Sequence, residues 1–157
     1  MPAVAVTPAA REAWSTIRDL LISGQGHDVF IGACSGVGLT PGAAKALLRL
    51  HDEPTQTMRD LAQLLGCDAS YITALTDVLE QKGFAQRRPH PSDRRARIVV
   101  LTGDGEAAAV RLLEAMSVPP ESFGALTATE QATLRDLMRK IAAAGASGPD
   151  RAVARTA

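Results

Sequence analysis

The sequence is short of aromatic residues, of cysteine and of net charge. One Trp, one Tyr and three Phe occur among 157 residues, too few for an aromatic-rich β-sandwich. Abundant alanine and leucine favour helices packed through aliphatic side chains. Two cysteines, Cys34 and Cys67, make no disulfide framework and match no zinc spacing, so a reducing cytoplasm fits. Lys plus Arg and Asp plus Glu balance at 17 each. This excludes a uniformly basic nucleic-acid binder and leaves open one whose charges are segregated. No run approaches the ~18–20 apolar residues of a membrane span. The start "MPAVAVTPAARE" lacks the basic and apolar regions of a signal peptide. No Ser-His-Asp set or catalytic carboxylate pair can be placed, and His27, His51 and His90 form no ligand set with either cysteine. The expectation is one cytoplasmic domain, not an enzyme, with no cofactor, metal or membrane partner.

Residues 8–23 predict a helix, because Ala10, Ala13, Trp14, Ile17, Leu20 and Leu21 recur at helical spacing. Thr7 caps it and Pro8 suits its first position. That spacing places Trp14 in a core rather than a pocket and leaves Phe30 open between the two. The segment 24–38 holds five glycines, which argues for a loop around a short apolar turn at Val29–Ile31. These glycines follow a helix rather than a strand, so they do not match a dinucleotide fingerprint. Thr40-Pro41 opens a second helix carrying Ala43, Ala44, Leu47, Leu48 and Leu50. Thr57 caps a short third with Leu61, Ala62, Leu64 and Leu65. A fourth, residues 69–82, begins at Asp68 and places Ile72, Leu75, Val78 and Leu79 on one face.

The stretch Met58–Gly83 carries a helix-turn-helix pattern. Small Ala62 permits close crossing, Gly66 tolerates φ > 0 at the turn, and Ile72 and Leu75 anchor the second helix to the first. With those anchors inward, Ser70, Tyr71, Thr73, Ala74 and Asp77 face out. Small hydroxylated side chains near a helix N-terminus suit a major groove, and the free amides there favour an anion. Read without a partner, the same positions are a solvated face or an ordinary αα-hairpin.

A β-hairpin follows, with strands near Phe84–Arg88 and Ala96–Leu101 around "PHPSDRR"; its prolines limit regular pairing. Arg87, Arg88, Arg94, Arg95 and Arg97 stand against one acid, Asp93. Arginine suits the negative potential of a narrow minor groove, although a charge run is commonly a solvated face. Thr102 caps a fifth helix, 103–117, with the stripe Ala109, Leu112, Leu113 and Met116. "VPPESFG" is a break. Thr127 and Glu130 form a capping-box pattern opening a sixth helix with Leu134, Leu137, Met138 and Ile141. The tail 146–157 reads as flexible.

The motifs "LAQLLGCDASYITALTDVLEQKGFAQRR" and "PSDRRARIVVLTGDGEA", with D-R-R and a closing L-T-x-x-G, resemble the MarR family of bacterial transcription regulators over roughly residues 8–145. The resemblance implies a mainly α fold with a small β-hairpin wing: a winged helix-turn-helix of six helices in a triangular, intertwined homodimer. It implies dimerisation segments 1–23 and 103–145 flanking a DNA-binding lobe at 40–102. Trp14, Ile17, Leu20, Leu21, Leu134, Leu137, Met138 and Ile141 would meet the second copy. Ser70, Tyr71, Thr73 and Ala74 would face bases in double-stranded DNA, and Thr55, Gln56 and Thr57 would touch its backbone. Arg95 would enter the minor groove, oriented by Asp93, with Arg94 and Arg97 on phosphates. The function implied is a repressor on a pseudo-palindromic operator, released by a small lipophilic or aromatic effector. The family also includes oxidant and metal sensors, but no cysteine lies in the first helix, where one branch places its peroxide sensor.

Two other readings stay open. Cys67, one residue before the helix Asp68–Lys82 that the resemblance makes the recognition helix, could sense oxidants, although a free cysteine is commonly just a buried small residue. A winged helix could also serve only protein–protein contact, a role that leaves the basic wing without a purpose.

Overall fold

A computed structural model describes residues 6–93 and 96–146. The chain divides into two units, Met1–Val118 and Pro119–Ala157.

The first unit opens with α1 (Pro8–Ile22), whose N-terminal amide at Ala10 donates to the Thr7 hydroxyl at 3.1 Å. No residue of α1 is buried within this chain, and Trp14 is 65% exposed. The core position expected for Trp14 is therefore corrected: Trp14 faces out of the fold, while Ile17 of the same stripe is half-buried.

The glycine-rich segment is also corrected. It folds as α2 (Gln25–Gly36), not as a loop. Glycines inside a helix cost about 1 kcal/mol each relative to alanine. Local propensity loses here because Ala33 and Cys34 become buried and Phe30 packs against the core. Gly24 and Gly26 have a tertiary reason. A Cβ on Gly26 would come 2.8 Å from the Leu20 carbonyl oxygen, so the α1–α2 corner closes only around glycine. Lys45 lies over the Phe30 ring, 5.9 Å from its centre.

The rest of the unit follows the apolar periodicity. Helix α3 (Pro41–Asp52) is capped by Thr40 and buries Ala43, Ala44, Ala46, Leu47 and Leu50. Next come β1 (Gln56–Thr57), α4 (Met58–Leu65), α5 (Ala69–Gln81), β2 (Ala85–Pro89), β3 (Arg97–Leu101) and α6 (Gly103–Ser117). The expected two-stranded hairpin gains a third strand. The order is β1-β3-β2, antiparallel throughout, with Gln56 opposite Val99 and Arg87 also opposite Val99 from the other side. Ala108, Ala109 and Leu112 of α6 are buried. Leu113 and Met116, expected in the same stripe, are instead exposed.

His51 and Glu106 tie α3 to α6 through a 2.6 Å contact. It joins the last turn of one helix to the first turn of the other, with the Glu106 carboxylate at the helix end its dipole favours.

In the second unit, the predicted break contains a short 3-10 helix, Glu121–Ala125, before α7 (Ala128–Ala146). The Thr127–Glu130 capping box forms in both directions. Leu137, Met138 and Ile141 are exposed on α7. The remainder of the tail, 147–157, lies outside the described residues.

Candidate nucleic-acid interface

The helix-turn-helix is built as its sequence pattern requires. α4 is closed at its start by a reciprocal Thr57–Asp60 capping box. It ends at Gly66, which sits at φ 62°, ψ 37°. The Cys67 amide reaches back to the Ala62 carbonyl at 3.0 Å, the helix-ending bond that a left-handed glycine makes possible. Ile72, Leu75, Thr76 and Leu79 of α5 are buried, and Leu61 and Ala62 of α4 are buried with them. Thr76 is the one polar member, and its hydroxyl donates to the Ile72 carbonyl at 2.8 Å.

The opposite face of α5 is open. Ser70, Tyr71, Thr73, Ala74 and Asp77 are all exposed, as the anchors predict. Asp68 caps the helix by accepting from the Tyr71 amide at 2.8 Å and the Ser70 hydroxyl at 2.5 Å. Those two bonds, the hydroxyl's first, hold the Asp68 carboxyl below the usual carboxylate range. Ser70 is thus engaged at the cap, and Thr73 donates to the Ala69 carbonyl at 2.8 Å. Tyr71 is 49% exposed, but its hydroxyl end lies over Gly42 of α3, so part of its ring packs on the lobe itself.

Thr55 is exposed, while Gln56 and Thr57 are half-buried because they form β1. Cys67, expected to be buried, is half-buried, its thiol 3.8 Å from the Ala62 carbonyl. Cys34 is buried, and burial pushes its thiol up.

In the wing, Arg88 and Arg97 are exposed. Arg94 and Arg95 lie outside the described residues. The tip is organised by a residue sequence reasoning missed. The ring nitrogen Nδ1 of His90 accepts from the backbone amides of Ser92 and Asp93, both at 3.2 Å. The Ala96 amide donates to the Asp93 carbonyl at 3.0 Å.

Arg87 turns the other way. Its backbone amide donates to Glu80 Oε1 at 2.7 Å, and its guanidinium donates to Glu80 Oε2, to Asp77 Oδ1 at 2.6 Å and to the Thr73 carbonyl at 3.3 Å. Strand alternation in the sequence does not single it out. Gln86 and Arg87 are both half-buried after buried Ala85, and Arg88 is exposed, so it is the bonding to α5 that distinguishes Arg87.

A helix-turn-helix followed at once by an arginine-bearing antiparallel wing is matched among known proteins. The MarR family model matches residues 39–96. The multiple antibiotic resistance protein MarR of Salmonella typhimurium is 32% identical over 109 residues, spanning 68% of this chain and 76% of that protein. The chain belongs to the MarR family. A putative transcriptional regulatory protein for the hcr operon of Thauera aromatica is 30% identical over 105 residues, 66% of this chain and 63% of its own length. Among solved structures, apo wild-type MarR from E. coli aligns with a TM-score of 0.67 at 26% identity, covering 86% of this chain and 97% of that one. The transcriptional repressor CouR, solved bound to a 23-mer DNA duplex, aligns at 0.59 and 25% identity, covering 90% and 96%. This MarR-family chain has no helix long and apolar enough to cross a membrane, and no metal-binding cluster, among its described residues.

Proposed function

We propose that this MarR-family regulator represses transcription by binding a pseudo-palindromic operator as a homodimer, and that a small lipophilic or aromatic effector releases it. One observation carries the reading: the exposed N-terminal face of α5 and the exposed arginines of the wing belong to a single lobe. The likeness to CouR, a repressor solved on DNA, supports it.

In this reading Ser70, Thr73 and Ala74 enter a major groove, with Tyr71 at its edge, and Thr55, Gln56 and Thr57 meet backbone phosphates. Arg87, Arg88, Arg94, Arg95 and Arg97 serve the wing, with Arg95 in the minor groove and Asp93 holding it. Phosphate contacts set register and base contacts set sequence. The dimerisation elements are α1, α6 and α7, whose Trp14, Leu20, Leu21, Leu137, Met138 and Ile141 are exposed within one chain. Such apolar patches mark interaction surfaces. Two recognition helices in one dimer would read half-sites about one helical turn apart.

The test is to sequence genomic fragments retained by the purified protein and to measure affinity against salt. A shared pseudo-palindrome, bound with an affinity that falls steeply as salt rises, is expected. Retention of no fragment above background would overturn the reading.

A further inference from the structure

We propose that Arg87 is a positioning residue that locks the wing to the recognition helix, rather than one of the arginines that meets DNA. The proposal rests on the DNA-binding reading above and reassigns one residue within it.

The geometry is a fork laid along a helix face. Thr73, Asp77 and Glu80 stand at successive turns of α5, and Arg87 reaches all three from β2. Its own backbone amide adds a fourth bond, to Glu80 Oε1 at 2.7 Å. Glu80 therefore holds both the strand's main chain and its side chain. The Arg87 side chain is 24% exposed and that of Glu80 32%, so the pair is partly withdrawn from water. Fork-shaped guanidinium–carboxylate bonding fixes geometry as well as adding energy, and lysine, with a single point charge, could not span three acceptors.

The consequence concerns two grooves at once. A recognition helix and a wing must enter different grooves of one duplex, so their mutual angle has to be set before binding. β2 and α5 are joined by the turn at Gly83, φ 71°, which leaves that angle to contacts beyond the turn. Arg87 and Glu80 supply them. The two acids also offset the charge of Arg87, so the basic edge of the wing falls to its outward arginines.

A phosphate-contact role and a positioning role predict opposite signs for one variant. Glu80→Gln removes a negative charge close to the candidate interface. If Arg87 met phosphate, this change would free it and raise DNA affinity. If Glu80 holds Arg87 in place, affinity falls although the protein has become more positive. The experiment uses full-length protein and a duplex that the wild type selects from random-sequence DNA. Expected results are an affinity loss of about tenfold for Glu80→Gln, and for Arg87→Ala a loss with the salt slope unchanged. The double variant should be no worse than Arg87→Ala alone, since both changes break one contact. Binding is compared well below each variant's unfolding midpoint, so that a purely stabilising role would lower the midpoint and leave affinity alone. If Arg87→Ala fails to fold, Glu80→Gln alone carries the test, because its amide oxygen can still accept from the Arg87 main chain. Equal or tighter binding by Glu80→Gln overturns the proposal, as does a salt slope reduced by about one in Arg87→Ala, the mark of a lost phosphate contact. Failure of the wild type to select any duplex overturns the DNA reading, and this proposal with it.

Discussion

The carbonyl oxygen of Phe84 occupies the place where a side chain on residue 105 would have to go. A Cβ built on Gly105 would press well inside van der Waals contact with the Phe84 carbonyl group. The same oxygen accepts from the Thr102 amide at 3.0 Å, while the Thr102 hydroxyl donates to the Gly83 carbonyl at 2.6 Å and caps α6 through the Gly105 amide at 3.1 Å. The L-T-x-x-G motif is therefore a junction: it pins the first turn of α6 to the end of the recognition helix. Alanine normally stabilises a helical glycine position, by up to about 1 kcal/mol. Here Gly105→Ala is expected to destabilise by about 1–3 kcal/mol, because backbone, not a movable side chain, stands in the way. Urea unfolding of the two proteins measures the sign.

Gly42 gives the contrasting case. A Cβ there would meet the Tyr71 hydroxyl and, at 3.1 Å, a methyl of Leu75. Tyr71 is half-exposed and its ring can swing outward. Gly42→Ala is expected to change stability by less than about 1 kcal/mol, with Tyr71 displaced. The tyrosine's fluorescence or ring resonances would report the displacement, and a loss of stability as large as that of Gly105→Ala would contradict it.

The Asp68 cap predicts a pH dependence. Its carboxyl is held below the usual range by the Ser70 hydroxyl and then the Tyr71 amide. A depressed folded-state value means that its stabilisation is present above the unfolded value and is lost as pH falls through the folded one. Asparagine also caps helices, so Asp68→Asn removes only the charge. The wild type is expected to be more stable than Asp68→Asn at neutral pH, with the gap closing below about pH 4. Denaturant melts across that range would show it, and a gap that does not vary with pH would refute it.

Arg95 stands in the D-R-R motif, outside the described residues, so its prediction rests on the sequence. Arg95→Ala is expected to weaken operator binding strongly and to leave the dimer intact. Gel shift and sedimentation on the same preparation separate the two effects, and unchanged operator affinity would sink the wing assignment.

The exposed apolar positions of α7 make a separate prediction. Leu137 is 55% and Ile141 61% exposed, one turn apart. If they meet a second copy, Ile141→Glu should yield monomers of unchanged helicity, because no side chain of the described chain buries that position. Sedimentation and circular dichroism report these independently, and a dimer that survives would remove α7 from the interface.

The sequence by itself determined the elements whose causes are local. Thr7, Thr40, Thr57, Asp68, Thr102 and Thr127 each open a helix where the capping pattern expects one, and Gly66 takes the left-handed conformation the turn demands. Apolar spacing separated the inner from the outer face of α5 correctly, because one helix has one periodicity. The tertiary structure decided what depends on a distant neighbour. Five glycines argued against a helix at 24–38, yet burial of Ala33 and Cys34 against the rest of the fold outweighs their propensity. Trp14 has the spacing of a core residue, but spacing does not say whether the surface it faces belongs to the same chain. Arg87 reads as one more charge in a basic run, and only the register of β2 against β3 and the approach of α5 turn it inward to Glu80. Composition counted five positive charges on the wing. Long-range pairing, which no local pattern carries, drew Arg87 into the fold.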